Sequence, residues 1–276
     1  MTFPNQLIKH QAGGITLFSN SIELSPQLVE ITKKLHSLTN SETILVYKKA
    51  PRKCVLLIRQ PSEEITELVF KGYPLSKLKD KLKYKRFGWQ EALNLLQAKA
   101  LGIRTPHFYG YIESRKCGFI TANGVLIQNL SEHRTLMEMI HDSQDDIFNI
   151  IDLAIPVISE FYEKGVNYID MSPHNLMSNG GELPLTTIDW QNCAFIEQRN
   201  DRQLILHSAQ FLHYIHAEFP NLTWTTWMHK VYDSCQPEIS LETFTKAVTH
   251  FTYSKRPRKS LRYALDFDLN SLPTSR

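Results

Sequence analysis

The chain has 276 residues, 42% of them hydrophobic and 21% charged, with a formal net charge of +3, an ordinary globular composition for one large domain or two lobes. Its longest apolar stretches, Ile44 to Tyr47 and Val55 to Ile58, are far too short to span a bilayer, and residues 1–14 hold no signal-peptide core. Four well-separated cysteines without a C-x-x-C pair exclude a zinc site and a disulfide framework. These features predict a cytoplasmic protein with reduced thiols. The charge balance predicts no nucleic-acid partner, but it is uneven: Lys77, Lys79, Lys81, Lys83, Lys85 and Arg86 form one basic cluster, and Lys255, Arg256, Arg258, Lys259 and Arg262 a second.

In chain order, Ser25-Pro26 opens a helix on which Leu28, Ile31, Leu35 and Leu38 recur at helical spacing. Three runs rich in β-branched and aromatic residues follow, 42–48, 54–60 and 65–71, separated by turn chemistry and read as successive antiparallel strands. Lys71 closes the third. A helical stretch then carries Leu75, Leu78 and Leu82 on one side. Gly88-Trp89-Gln90-Glu91 opens a second helix that stops at Gly102 before Pro106. The segments 107–113, 117–121 and 124–129 predict two more strands, the first interrupted at the turn Ser114-Arg115-Lys116, and 130–135 a connection. From Asp145 a long buried helix, kinked at Pro156 and ended by Gly165, leads into a polar loop. Helices follow from near Arg202, over 224–232 and from the Ser240 cap, and the tail from Asp266 reads as loose. His207, His213 and His216 read as core or boundary residues rather than metal ligands.

The polar loop, Gly165 to Asn175, and the apolar return ending Thr187-Ile188-Asp189-Trp190 place two aspartates and an asparagine at the edges of short β-like runs. Phosphoryl transfer from a nucleotide requires a base for the acceptor hydroxyl and oxygen ligands for magnesium. Asp170 fits the first role, Asn175 and Asp189 the second. Upstream, Lys71 at its strand end fits a grip on nucleotide phosphates. Glu91, the only glutamate between Lys71 and Glu113, is the carboxylate placed to pair with it. Turn formation alone would explain Asp170 and Asn175, and a solvent-facing helix position would explain Glu91. The order of all five residues favours the chemistry.

With these residues in order, the chain resembles the protein-kinase-like superfamily over roughly residues 42–265. Leu68-Val69-Phe70-Lys71 has the form of the V-A-I-K strand, Asp170 to Asn175 keep the spacing of H-R-D-x-x-x-x-N, and Ile188-Asp189-Trp190 stands for D-F-G. Within that superfamily the chain looks most like bacterial lipopolysaccharide core kinases acting on heptose or Kdo. The stretches that carry this are Phe70-Lys71-Gly72-Tyr73, the basic segment leading to Arg86-Phe87, Gly102-Ile103-Arg104-Thr105-Pro106, and Asp170 with Ile188-Asp189.

The resemblance implies an α+β, two-lobed protein-kinase-like fold. Residues 1–131 would form an N-terminal lobe with an extra helix, a five-stranded antiparallel sheet and the helix bearing Glu91, and residues 132–276 a mainly helical C-terminal lobe with the catalytic loop. It further implies ATP with its adenine near residues 129–132, Lys71 and Glu91 at the nucleotide, Mg2+ on Asn175 and Asp189, and Asp170 as the catalytic residue. The γ-phosphate would pass to a sugar hydroxyl of lipopolysaccharide inner core. Competing readings are a small-molecule phosphotransferase of the aminoglycoside or choline kinase type, a protein kinase, and an inactive pseudokinase kept as a binding module.

Several departures bear on these readings. There is no G-x-G-x-x-G; the first turn is Lys48 to Lys53, either a basic phosphate contact or a solvated hairpin tip. Ile169 replaces the arginine that pairs with a phosphorylated activation loop, and Tyr168 replaces a histidine. No A-P-E element separates Asp189 from the next helix, which leaves little platform for a protein substrate. A sugar or glycolipid acceptor fits better. An acceptor on anionic lipid would give the basic clusters a peripheral contact with the inner membrane, against the alternative of a solvated face.

Overall fold

The computed structural model describes residues 7–62, 64–143, 146–180, 184–254 and 259–269. Packing divides the chain into two units, the first running to Ala100 and from Thr105 to Leu130, the second comprising Leu101–Arg104 and the chain from Ser131 onward.

The first unit begins with a hairpin, β1 (Ile8–Ala12) and β2 (Ile15–Ser19), turning at Gly13-Gly14, where φ is +56° and +80°. Next comes α1 (Pro26–Lys33), whose Ser25 cap accepts the Leu28 N–H. Then follow β3 (Ile44–Ala50), β4 (Lys53–Arg59), β5 (Glu67–Pro74), the short α2 (Leu78–Leu82), α3 (Gly88–Ala100), β6 (Phe108–Lys116) and β7 (Phe119–Gln128). The strands form an antiparallel sheet in the order β1-β2-β6-β7-β5-β4-β3. It has seven strands where five were expected, because the alternating Ile15, Leu17 and Ser19 bury one face of β2 against β6. Leu28 and Ile31 of α1 close a core with Leu56, Ile58, Leu68 and Phe70.

Three local expectations change. β5 continues past Lys71 to Pro74, so the lysine sits inside a strand, opposite Val55 on β4 and Val125 on β7. The irregularity expected at 114–116 is a register shift at Ser114/Arg115; the chain reverses at Cys117-Gly118, with φ of +49° and +80°. Of the three leucines expected on one side of a helix, Leu75 precedes α2 and is buried, while Leu78 and Leu82 of α2 are 61% and 67% exposed.

In α3, Glu91, Ala92, Leu95 and Ala98 are buried on one face. Its first residue, Gly88, lies so close to Gly124 of β7 that an added Cβ would stand 2.7 Å from the Gly124 Cα. A Cβ on Gly124 would in turn come within 2.5 Å of the Lys71 carbonyl oxygen. Two glycines therefore let the start of α3 press onto the sheet beside Lys71.

The second unit is mainly helical. β8 (Arg134–Thr135) enters α4 (Leu136–Asp142) through a reciprocal capping box between Thr135 and Glu138. The long helix expected from Asp145, which lies outside the described residues, is two helices, α5 (Ile147–Asp152) and α6 (Ile155–Glu163). Pro156 starts the second rather than kinking one, as proline is tolerated only in a first turn. Gly165, at φ +63°, turns the chain where any Cβ would meet the Ile196 carbonyl at 2.3 Å. β9 (Val166–Tyr168), β10 (Leu176–Ser178), β11 (Thr186–Thr187) and β12 (Cys193–Phe195) make two small ladders, β11-β10-β8 and β12-β9. The helices α7 (Asp201–Glu218), α8 (Thr225–Cys235), α9 (Leu241–Tyr253) and α10 (Lys259–Ala264) follow, with Ser240 capping α9 through the Thr243 N–H. Beyond α10 the chain is docked at Phe267, whose carbonyl accepts from Arg202 Nε at 2.8 Å and whose ring packs edge-on to Phe251. The start of the tail expected to be loose from Asp266 is therefore docked, and residues 270–276 of it lie outside the described residues.

Candidate active site

The candidate residues fall into two sets, one in each unit. In the first, Lys71 lies within β5 and Glu91 in the first turn of α3, 6% and 1% exposed respectively. Lys71 Nζ donates to Glu91 Oε1 at 2.5 Å, and the Tyr73 hydroxyl donates to Glu91 Oε2 at 2.6 Å. Strand periodicity explains Tyr73: positions 71 and 73 share one face of β5. Both carboxylate oxygens of Glu91 are thus engaged, and the lysine is held away from solvent by a partner on another element.

In the second set, a 3₁₀ turn at Pro173–Asn175, capped by the Ser172 side chain, carries Asn175 back toward Asp170. Asn175 Nδ2 donates to the Asp170 carbonyl at 2.9 Å, and Ile188 N–H donates to the Asn175 carbonyl at 3.0 Å, which sets Asp189 beside the loop. Asp189 has φ +62°, a left-handed conformation that aspartate tolerates better than most residues. Asp170 is anchored at both oxygens: Oδ2 accepts from Asn192 Nδ2 at 2.5 Å, and Oδ1 faces Arg262 Nη1 at 3.7 Å.

The two substituted motif positions pack together. Tyr168 is fully buried and its hydroxyl donates to the Ile188 carbonyl, with the Asp189 carbonyl 3.3 Å away. Its ring meets Trp190 edge-on at 5.3 Å, and Trp190 Nε1 donates to the Thr187 carbonyl at 2.8 Å. Tyrosine in place of histidine therefore ties the loop directly to the Ile188-Asp189 turn. Under it, His207 is buried and its Nε2 accepts the Tyr168 N–H at 3.0 Å. Burial pushes its imidazole down to about 3, so it stays neutral and serves as a core acceptor. His213 Nδ1 lies 2.9 Å from the Thr252 carbonyl.

Among the described residues no group of three or more His, Cys, Asp and Glu side chains suited to a metal occurs. Magnesium needs no such group, because it is commonly held by one or two carboxylates together with substrate phosphates. The donor set here fits that habit: with Asn175 Nδ2 spent on the Asp170 carbonyl, its Oδ1 is the oxygen end left to a hard cation, and Asp189 adds a carboxylate.

The basic turn after β3 is partly engaged, since Lys49 Nζ donates to the Leu38 carbonyl at 3.0 Å and Arg52 Nε lies 3.9 Å from Asp80. Of the second basic cluster, residues 255, 256 and 258 lie outside the described residues; Lys259 donates to Asn192 Oδ1 and Arg262 is buried. These two are site residues that sequence reasoning placed on a solvated or membrane-facing surface.

A seven-stranded antiparallel sheet bearing a buried lysine–glutamate pair, with a helical unit bearing the Asp170 loop, defines a protein-kinase-like fold. Among solved structures, that of WaaP in complex with acyl carrier protein is similar over 85% of this chain and 92% of that one, at TM-score 0.56 and 11% identity. At this identity the likeness is one of fold. No protein-family model and no curated protein matches the sequence.

Proposed function

We propose that the protein is an ATP-dependent kinase that transfers the γ-phosphate to a sugar hydroxyl of lipopolysaccharide inner core. The observation that carries the phosphotransferase reading is the buried Lys71–Glu91 pair. Desolvating two charges costs several kcal/mol each by continuum reasoning, so a hydrophobic pair would serve stability as well. A lysine held at this cost by Glu91, itself fixed by Tyr73, is accounted for by phosphate binding. The sugar acceptor rests on the resemblance of the motif stretches to lipopolysaccharide core kinases and on the short connection between Asp189 and α7.

In this reading Lys71 orients the phosphates, and Asn175 and Asp189 hold magnesium, which when bound neutralises phosphate charge. Asp170 accepts a hydrogen bond from the acceptor hydroxyl and takes its proton as the hydroxyl oxygen bonds to the γ-phosphorus and the bond from that phosphorus to the bridging oxygen breaks, releasing ADP. Asn192 keeps the carboxylate turned to that task. Most of the catalysis would be positioning and charge stabilisation.

The surface of α2 supports a membrane setting for the acceptor. Leu78 and Leu82 are one helical turn apart and largely exposed, and Lys77, Lys79, Lys83, Lys85 and Arg86 around them are exposed as well. The one acid in the segment, Asp80, is buried and turned toward Arg52. Exposed leucines ringed by cations fit an anionic lipid surface, where each basic residue contributes about 1 kcal/mol. No helix among the described residues is long and apolar enough to cross a membrane.

The test is incubation of purified protein with labelled ATP, magnesium and dephosphorylated core oligosaccharide, with aminoglycosides and choline as rival acceptors. Label on the core sugar is the expected result. Label on a rival acceptor reassigns the substrate, and nucleotide binding without transfer to any acceptor makes the protein a binding module.

A further inference from the structure

The buried guanidinium of Arg262 comes from α10, far along the chain from the loop it serves. Its Nη1 donates to the Ile169 carbonyl at 2.8 Å and lies 3.7 Å from Asp170 Oδ1. The helix that carries it is pinned to β9, because Asn167 Nδ2 donates to the Arg262 carbonyl at 3.0 Å. One turn earlier on the same face, Lys259 donates to Asn192 Oδ1, which fixes the amide so that its Nδ2 meets Asp170 Oδ2. We propose that α10 positions the Asp170 carboxylate, Arg262 acting on Oδ1 and Lys259 acting through Asn192 on Oδ2. The proposal rests on the reading of Asp170 as the group that meets the acceptor hydroxyl.

Two physical points favour positioning over a plain structural tie. The Ile169 carbonyl needs only a neutral donor, and a buried guanidinium is an expensive way to supply one. Besides a contact of Nη1 with Gln210 Oε1 at 3.4 Å, its charge faces the carboxylate of Asp170. Second, at 3.7 Å the guanidinium acts on Oδ1 by charge rather than through a hydrogen bond, which orients the carboxylate without the guanidinium itself occupying that oxygen's lone pairs. Asp170 is 26% exposed at its side chain, consistent with a group that is oriented yet reachable. The motif position before Asp170 holds isoleucine, so the cation beside the catalytic loop arrives from a separate element.

The experiment compares wild type with Arg262→Met, which keeps the buried volume, Arg262→Lys, which keeps the charge, and Lys259→Met. Turnover and KM for ATP are measured with the acceptor that wild type uses, and amide hydrogen exchange is followed over residues 166–176. Expected are a fall in kcat of about 10- to 100-fold in Arg262→Met with KM for ATP unchanged, partial recovery in Arg262→Lys, and a smaller loss in Lys259→Met. Exchange at 169–175 should rise in Arg262→Met while the strands of the first unit keep their protection. A folded Arg262→Met with wild-type kcat, or an Arg262→Lys no better than it, overturns the proposal. If Arg262→Met does not fold, unchanged turnover in both Lys259→Met and Arg262→Lys overturns it. If wild type transfers phosphate to no acceptor, the kinase reading fails by itself, and positioning is then judged by exchange: wild-type protection of 169–175 in the variants overturns it.

Discussion

The Lys71 set and the Asp170 set solve the same problem, holding a charged side chain in one geometry, by different means. Lys71 and Glu91 are sealed from solvent and neutralise each other directly, on a strand and a helix that two glycines bring together. Asp170 stays partly exposed and is held at its carboxylate by the Asn192 amide and the Arg262 guanidinium and at its carbonyl by the Asn175 amide, drawn from three stretches of chain. A group that only orients a ligand is well served by a closed pair. One that must receive a proton needs support that leaves a face open.

The comparison is broken most sharply at Asp170. On the proposed role of Asp170 at the acceptor hydroxyl, Asp170→Ala should lower turnover by about 10²-fold or more while nucleotide affinity stays near wild type. Near-normal turnover would remove it from that role. Asp189→Ala should weaken ATP binding in magnesium as well as chemistry, and a titration showing wild-type affinity would unseat the metal assignment.

Next in size is the closed pair. Glu91→Ala leaves the Lys71 ammonium buried beside Tyr73, and loss of one partner of a buried pair costs about 3–5 kcal/mol. The double variant Lys71→Ala/Glu91→Ala should cost little more in activity than either single change and should regain stability over Glu91→Ala. Additive losses in a double-mutant cycle of turnover and urea unfolding would mean that the two act independently.

A smaller effect is expected at Tyr168→Phe, which keeps the packing on Trp190 but leaves the Ile188 carbonyl without its hydroxyl donor. Stability should drop by about 1–2 kcal/mol, with a modest loss of turnover through the displaced Asp189 turn. Unchanged melting and activity would show that the ring alone sets the turn.

The least of these effects at neutral pH sharpens how the loop is supported from below. His207 is pushed down to about 3 by burial, whereas an unfolded imidazole titrates near 6.5. Between those values the unfolded chain binds a proton that the folded chain refuses, so this contribution is complete above about pH 6.5 and is lost as pH falls. His207→Gln retains an acceptor for the Tyr168 N–H without titrating. Urea unfolding at pH 7 and pH 4.5 should show a shallower acid loss in the variant, and equal losses would assign the acid sensitivity to other groups.

How far the site was legible follows from the same contrast. Lys71 and Glu91 stood out because a strand end and a helix start each have local signatures, and only one glutamate lay in range. Asp170, Asn175 and Asp189 were readable from spacing within a short loop and return. Asn192, Lys259 and Arg262 were not, since contacts across 67 and 93 residues leave no periodic trace, and a buried arginine looks like a surface one in a basic run. Tyr73 was quoted as a motif neighbour, and its bond to Glu91 follows from i, i+2 placement on β5. The edge hairpin was not legible although Gly13-Gly14 is a two-residue hairpin turn, because Ile8–Ala12 is a mostly polar, exposed run without apolar alternation. Leu78 and Leu82 were misplaced because helical spacing names a face without saying what covers it.

The reach from Arg262 back to Ile169 also has a bearing on how the protein is made. A ribosome adding 5–20 residues per second needs roughly 5–20 s to extend the chain across that interval of 93 residues. For most of that time the nascent chain carries the loop and Asp170 without the cations of α10. Phosphate transfer should therefore lag behind formation of the sheet in coupled translation, and ATP binding by Lys71 and Glu91 should mature first.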